Sequence, residues 1–168
     1  PATAPLLADI CVCTFRRPEV RDTLAALARL TPPDGVEVRI IVVDNDDTPS
    51  AEALVRKAAG PFPIHYVHAP ARNISIARNA GLDAANGDVL AFLDDDEVVE
   101  PQWLSRLLAK AAESGADVVF GPVLARYPEE APQWIRKGDF HSARPVFIQG
   151  RVETGYSGNV LIQRARPW

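Results

Sequence analysis

The sequence predicts an α/β domain, a mostly parallel sheet flanked by helices. Short β-branched apolar runs alternate with amphipathic segments through the first two thirds of the chain. Val36–Val43 is nearly continuous in apolar residues toward its end, as in a strand buried on both faces. Polar clusters follow the apolar runs instead of interrupting them. At 168 residues the chain fits one domain, large enough to bury a core without staples.

Ile10–Cys13 reads as the first strand, ending at the polar turn Thr14-Phe15-Arg16-Arg17. Pro18 opens a helix, since proline is tolerated in a first turn; Leu24, Leu27 and Leu30 form its apolar stripe and Pro32-Pro33-Asp34-Gly35 ends it. Val36–Val43 is the second strand, Ser50–Ala59 a helix and Ile64–His68 a third strand. A helix over Ile74–Ala85 carries Ile74, Ala77, Gly81 and Ala84 along one side. Val89–Leu93, Pro101–Ala112 and Asp117–Phe120 continue the rhythm as strand, helix and strand. Tyr127–Pro145, rich in Pro, Glu and Arg, predicts an irregular excursion, and Thr154–Ile162 contains one last β-like run.

The net charge of -4 gives no general attraction for nucleic acid, so a phosphate-bearing ligand needs local arginines or a metal ion. The longest apolar stretches, such as Ile40–Val43 and Val89–Leu93, are far too short to span a membrane, and Pro1–Ala8 does not read as a secretory signal. Cys11 and Cys13, two apart on one strand, share a face and sit poorly for a mutual disulfide. They read as buried thiols in a reducing compartment. The chain has no Met, so its ends need not be natural ends.

If the sheet is parallel, Thr14-Phe15-Arg16, Asp44-Asn45-Asp46-Asp47 and Asp94-Asp95-Asp96-Glu97 lie along one edge. So many carboxylates ask for a neutralising partner, and a divalent cation is the economical one. Asp94 and Asp96, two apart at a strand end, can point the same way, although an acidic turn capping the next helix is the plainer meaning of the run. Arg72 and Arg78 stand six apart at the opening of a helix, where backbone amides favour anions and guanidinium groups suit phosphate. No G-x-G-x-x-G follows the first strand, which argues against a dinucleotide-binding dehydrogenase.

Taken in order, Cys13-Thr14-Phe15-Arg16-Arg17-Pro18, Val42-Val43-Asp44-Asn45, Ala77-Arg78-Asn79-Ala80-Gly81 and Gly87-Asp88 through Phe92-Leu93-Asp94-Asp95-Asp96 resemble a known pattern. It is that of the donor-binding half of family 2 inverting glycosyltransferases with the GT-A (Rossmann-like) fold, bacterial exopolysaccharide and succinoglycan-type enzymes among them. The resemblance implies a single GT-A domain over residues 1–168. About 9–125 form its donor-binding half; about 126–168 form part of the acceptor side, to which Gly155–Ile162 is similar. It implies that Thr14 and Phe15 meet the nucleotide base, that Asp44 and Asn45 bond its polar edge, and that Arg78 lies near the diphosphate. Asp94 and Asp95 would approach the ribose and donor sugar, and Asp96 would bind the metal.

The implied activity is inverting transfer from a nucleoside diphosphate sugar, by default a UDP-sugar, with Mg or Mn. The acceptor would be a glycan or lipid-linked saccharide, in the cytoplasm or at the inner face of the membrane, for cell-surface or extracellular polysaccharide. Arg16 stands where the family often has Asn, and Asn45 where it often has Asp. The family's acidic catalytic motif downstream of the acceptor strand has no match, which puts the expected base beyond Trp168, with Glu129, Glu130 and Asp139 as candidates inside the chain. Two alternatives stand beside this reading. A metal-dependent nucleotidyltransferase usually has a Gly-rich loop after the first strand, and Thr14–Pro18 contains no Gly. A non-catalytic nucleotide-sugar-binding module would keep the same pocket.

Overall fold

The computed structural model describes residues 4–149 and 151–164. In chain order the elements are β1 (Leu6–Thr14), α1 (Val20–Leu27), β2 (Val36–Asp44), α2 (Glu52–Lys57), β3 (Ile64–His68), α3 (Ile74–Ala84) and β4 (Val89–Asp94). Then come α4 (Trp103–Ser114), β5 (Val118–Phe120), α5 (Gln133–Gly138), β6 (Val146–Ile148), β7 (Arg151–Thr154) and β8 (Asn159–Gln163). The alternation read from the sequence is therefore present through β5, with helix ends shifted by a few residues. Local chemistry sets those ends. Asn73 caps α3 by accepting from the N–H groups of Ser75 and Ile76, and α4 stops at Gly115, whose φ of 64° is the left-handed conformation of a helix C-cap.

The main sheet has six strands in the order β3-β2-β1-β4-β8-β5. β1, β2, β3 and β4 run parallel, and β8 enters antiparallel between β4 and β5. The order reverses at β1: the chain moves outward through β2 and β3, then returns to place β4 on the other side. Such a reversal opens a crevice at the carboxyl ends of the two strands. The register sets Cys13 opposite Asp94, so the residues following β1 and β4 face each other across that crevice.

The segment after β5 is more ordered than its composition suggests. α5 lies inside the stretch expected to be irregular, and β6 pairs with β7 in a separate two-stranded sheet, so Thr154 ends that hairpin and the last run begins only at Asn159. No residue of α5, β6 or β7 is buried, which explains why no apolar periodicity announced them.

Two apolar layers sandwich the sheet. Ala8, Ile10 and Val12 of β1 pack with Val20, Leu24 and Leu27 of α1 and Leu104 and Leu107 of α4. The opposite face joins Cys11, Ile41, Val43 and Phe92 to Ala77 of α3. A Cβ on Gly81 would collide with the Cys11 sulfur, so α3 needs Gly there to lie this close to β1. Cys11 is buried and Cys13 half-buried, both as free thiols.

Within the second layer Asp9 is wholly buried. Its carboxylate accepts two bonds from Arg39 at 2.7 and 2.9 Å, and the backbone N–H groups of Asn86 and Gly87 donate to it at 2.8 Å. Burial alone would raise its pKa, but the Arg39 guanidinium and the two amides outweigh it and hold the carboxyl below its ordinary range. Asp9→Asn leaves Arg39 without its counter-ion and is expected to cost about 3 kcal/mol. A depressed folded pKa stabilises above the unfolded value, about 3.9, and that contribution disappears as pH falls through the folded one. Thermal melts of parent and variant should therefore differ most near neutrality and draw together as pH falls through the depressed folded pKa of Asp9.

Candidate functional site

The residues after β1, β2 and β4, together with the start of α3, enclose a cleft of about 330 Å³. Thr14, Phe15, Arg17, Asn45, Arg72, Arg78 and Asp94–Asp96 line it. Of the residues expected in a donor site, all reach this cleft except Asp44. Thr14 is 3% exposed, and its hydroxyl lies beside Asp95 without the geometry of a hydrogen bond, so a buried polar atom faces the cleft unpartnered. An orphaned hydroxyl in such a place marks a position where a ligand atom would be welcome. Phe15 is 40% exposed at the rim, with the Arg16 guanidinium 5.1 Å from its ring centre.

Asp44 sits behind the cleft. Its carboxylate accepts from the N–H of Asp46 at 3.1 Å, the N–H of Ala51 at 2.7 Å and the Tyr66 hydroxyl at 2.8 Å. This corrects the expectation that it offers itself to a base edge: three internal donors hold it inside the β2–α2 turn. Asn45 does line the cleft, but its side chain is also engaged. It donates to Ala69 O at 2.7 Å and accepts from the N–H of Asn73 at 2.6 Å, tying the end of β2 to the cap of α3. The amides expected to favour an anion at the start of α3 are already satisfied by Asn73, which leaves the arginines as the cleft's cationic groups.

Each arginine is matched to a carboxylate. Arg16 bonds Asp46 at 2.8 Å and holds its carboxyl down to about 2. Arg72 pairs with Asp47, Arg78 meets Asp94 at 3.1 Å, and Arg17 bonds Asp96 with Asp95 at 3.7 Å. Arg16 and Arg17 are thus part of the charge arrangement although only Arg72 and Arg78 were read from sequence as phosphate-suited; the doublet Arg16-Arg17 after a strand end was the available signal. Burial raises the Asp95 carboxyl, with Asp96 adding to the rise. Thr23 anchors the run by donating to Asp95 O at 2.9 Å.

Glu97, which had no assigned role, points from the same run toward a second cavity of about 760 Å³ between β5, β8 and α4. Asp96 borders both cavities. A Cβ on Gly158 would lie 2.6 Å from Asp94 Oδ2 and 2.8 Å from Glu97 Oε1, so a side chain at the entry to β8 would force these carboxylates to shift. Glu129, Glu130 and Asp139 line neither cavity. Asp139 instead accepts from Ser142 at 2.5 Å and from Arg144 at 3.2 Å.

Among the described residues no three His, Cys, Asp or Glu side chains converge as a closed metal site. The open kind fits better. Magnesium and manganese commonly keep one or two carboxylates and take their remaining oxygens from phosphate and water. The hard carboxylate oxygens of Asp94–Asp96, half-exposed at Asp96 and beside a cleft with arginines, are a donor set of that chemistry.

The sheet is α/β, with its cleft at the β1/β4 reversal lined by an acidic run, arginines and an aromatic. The Glycosyl transferase family 2 pattern matches residues 9–165, and the chain belongs to that family. It is 54% identical over 158 residues to the succinoglycan biosynthesis protein ExoM of Rhizobium meliloti, covering 93% of this chain and 51% of ExoM. It is 40% identical over 101 residues to ExoO of the same organism, covering 59% of this chain and 27% of ExoO. The chain thus spans about half the length of ExoM.

The fold is that of GT-A glycosyltransferases. Residues 1–349 of TarS from S. aureus superpose with a TM-score of 0.70 at 19% identity, covering 94% of this chain and 47% of that one. The mannosyltransferase PcManGT of Pyrobaculum calidifontis, solved with GDP-Man and Mn2+, superposes at 0.67 and 19% identity, covering 96% and 46%. No helix among the described residues is long and apolar enough to cross a membrane.

The crowding at Glu97 is measurable. Burial first, then the charges of Asp94 and Asp96, push its carboxyl up to about 8. A raised folded pKa favours the protonated native state, so stability from this group is complete below about 4.5 and is lost as pH rises to about 8. Glu97→Gln should flatten that decline. Melting temperatures of parent and variant across pH 4 to 9 would diverge in favour of the variant as pH rises, and parallel curves would remove Glu97 from the coupled cluster.

Proposed function

We propose that this chain is the donor-binding part of an inverting glycosyltransferase that takes a sugar from a nucleoside diphosphate sugar, with Mg or Mn, for bacterial exopolysaccharide. The observation that carries the reading is the meeting of Thr14, Phe15, Arg78 and Asp94–Asp96 in one cleft at the strand-order reversal. UDP is the nucleotide we assign by default. TarS has been solved with UDP-GlcNAc and PcManGT with GDP-Man and Mn2+, which supports a nucleotide sugar and a metal as the ligand class. The kinship with ExoM supports a polysaccharide setting, with a glycan or lipid-linked saccharide as acceptor. A cytoplasmic setting, in the interior or at the inner face of the membrane, belongs to the same reading; the free thiols of Cys11 and Cys13 agree with it.

In this reading Phe15 stacks on the base and the buried Thr14 hydroxyl gains a partner from the nucleoside. Asp94 and Asp95 face the ribose and sugar. Arg78, 3.1 Å from Asp94, is free to exchange a carboxylate for a phosphate oxygen. Asp96 would hold the metal, which when bound supplies positive charge to the departing diphosphate. The acceptor would approach from the side of the second cavity, which shares Asp96 with the donor cleft. A carboxylate base would take its hydroxyl proton as it attacks the anomeric carbon from the face opposite the leaving group, which inverts the configuration. Glu129, Glu130 and Asp139 line neither cavity, which disfavours all three as that base.

Calorimetric titration of UDP and of free diphosphate, with and without manganese, tests the assignment. Asp96→Asn should lower manganese-dependent UDP affinity at least about tenfold without weakening metal-free binding. Phe15→Ala should weaken UDP by about 5- to 150-fold, the worth of one stacked base, and leave diphosphate unaffected. Equal weakening of both ligands by Phe15→Ala would make Phe15 a packing residue. Manganese-dependent UDP binding by Asp96→Asn equal to that of the parent would remove Asp96 from the metal site.

A further inference from the structure

Arg17 had no role in the reading above, yet it makes the most direct contact with the carboxylate assigned to the metal. Arg16 has a φ of 57°, a left-handed conformation that is uncommon outside glycine. Arg16 turns to Asp46 on the β2 loop, while Arg17 crosses the cleft to Asp96 and Asp95 on the β4 loop, 79 residues away in sequence. Among the described residues the Arg17 guanidinium bonds nothing else. It is 51% exposed and Asp96 50% exposed, so the pair lies at the cleft mouth and not in the core.

We propose that Arg17 is an internal counter-cation that occupies Asp96 in the absence of metal, and that its displacement couples metal binding to diphosphate binding. This rests on the donor-site reading of Asp96. A divalent ion and a guanidinium compete for the same carboxylate oxygens, and each repels the other. A half-exposed ion pair shifts an equilibrium by no more than about fivefold, so Arg17 holds the site neutral without blocking it. A metal arriving alone must displace Arg17 into a cleft already carrying Arg72 and Arg78. A metal arriving with a diphosphate leaves Arg17 an anionic oxygen to bond in exchange. Arg17 thereby disfavours metal without nucleotide and favours the two together, as a positioning residue acting through Asp96.

The test is the electron paramagnetic resonance signal of free Mn2+ during titration of the parent, Arg17→Gln, Arg17→Lys and Asp96→Asn, each with and without UDP. Arg17→Gln should bind Mn2+ about three- to fivefold more tightly than the parent without UDP, and UDP should enhance its Mn2+ affinity less. Arg17→Lys keeps the charge and should follow the parent, which a purely steric contact would not produce. If Arg17→Gln binds Mn2+ no more tightly than the parent while Asp96→Asn loses it, the counter-cation role is overturned and the donor site stands. If Asp96→Asn keeps full Mn2+ affinity, the metal reading of Asp96 fails, and the role of Arg17 fails with it.

Discussion

The structure depends on how it holds seven carboxylates, Asp44, Asp46, Asp47 and Asp94–Glu97, at one edge of a sheet. Parallel strands put the ends of β2 and β4 on the same side, so the acidic residues that follow them cannot avoid one another. The chain answers in three ways. Asp44 is withdrawn and bonded to internal donors, burial and its acidic neighbours push the Glu97 carboxyl up to about 8, and four arginines pair with the carboxylates that remain. In the proposed reading a metal–diphosphate pair would bring a cation and an anion to these paired charges together.

The return strand completes the edge. β8 runs antiparallel beside β4 and brings Gly158 and Asn159 to the carboxyl end where the acidic run begins. The Trp103 indole donates to Asn159 Oδ1 at 2.9 Å, and Asn159 Nδ2 donates to Pro122 O at 2.9 Å, so one amide fastens the start of α4, the exit of β5 and the entry of β8. Gly158 can then lie against Asp94 and Glu97, and the acidic run becomes a wall between two cavities instead of an exposed turn. Asp96 stands where they meet.

The alternation through β5 was legible because each element buries a face, and burial writes periodicity into sequence: Leu24 and Leu27 of α1 and the whole of β4 up to Leu93 are examples. The cleft was legible as far as chain order sufficed, since a strand end followed by polar residues needs only a parallel sheet to become a site. Pairing across the cleft was not. Nothing local in Arg17 says that its partner lies 79 residues away, and nothing in Asp44 says that Tyr66 and Ala51 will claim its oxygens. α5 and the β6–β7 hairpin escaped for the opposite reason: with no buried residue they are held by backbone bonds that leave no trace in hydropathy.

Magnitudes separate the permanent parts of the cleft from the exchangeable ones. Arg16 and Arg72, with φ of 57° and 47°, are both left-handed, and such residues cost on the order of 1–3 kcal/mol each. Their ion pairs with Asp46 and Asp47 involve guanidinium groups more than half exposed, and pairs of that kind contribute about 0–1 kcal/mol. The pairs are therefore too weak to hold the strained turns. The strain must be offset by the network around Asn45, whose N–H donates to Thr14 O at 2.9 Å, whose carbonyl accepts from Arg72 N at 3.1 Å, and whose side chain bonds Ala69 and Asn73. One buried asparagine thus fastens the ends of β1 and β2 and the start of α3. This explains why Asn45 lines the cleft without offering a free polar group, and it leaves the loops that carry the arginines held independently of their exposed ion pairs.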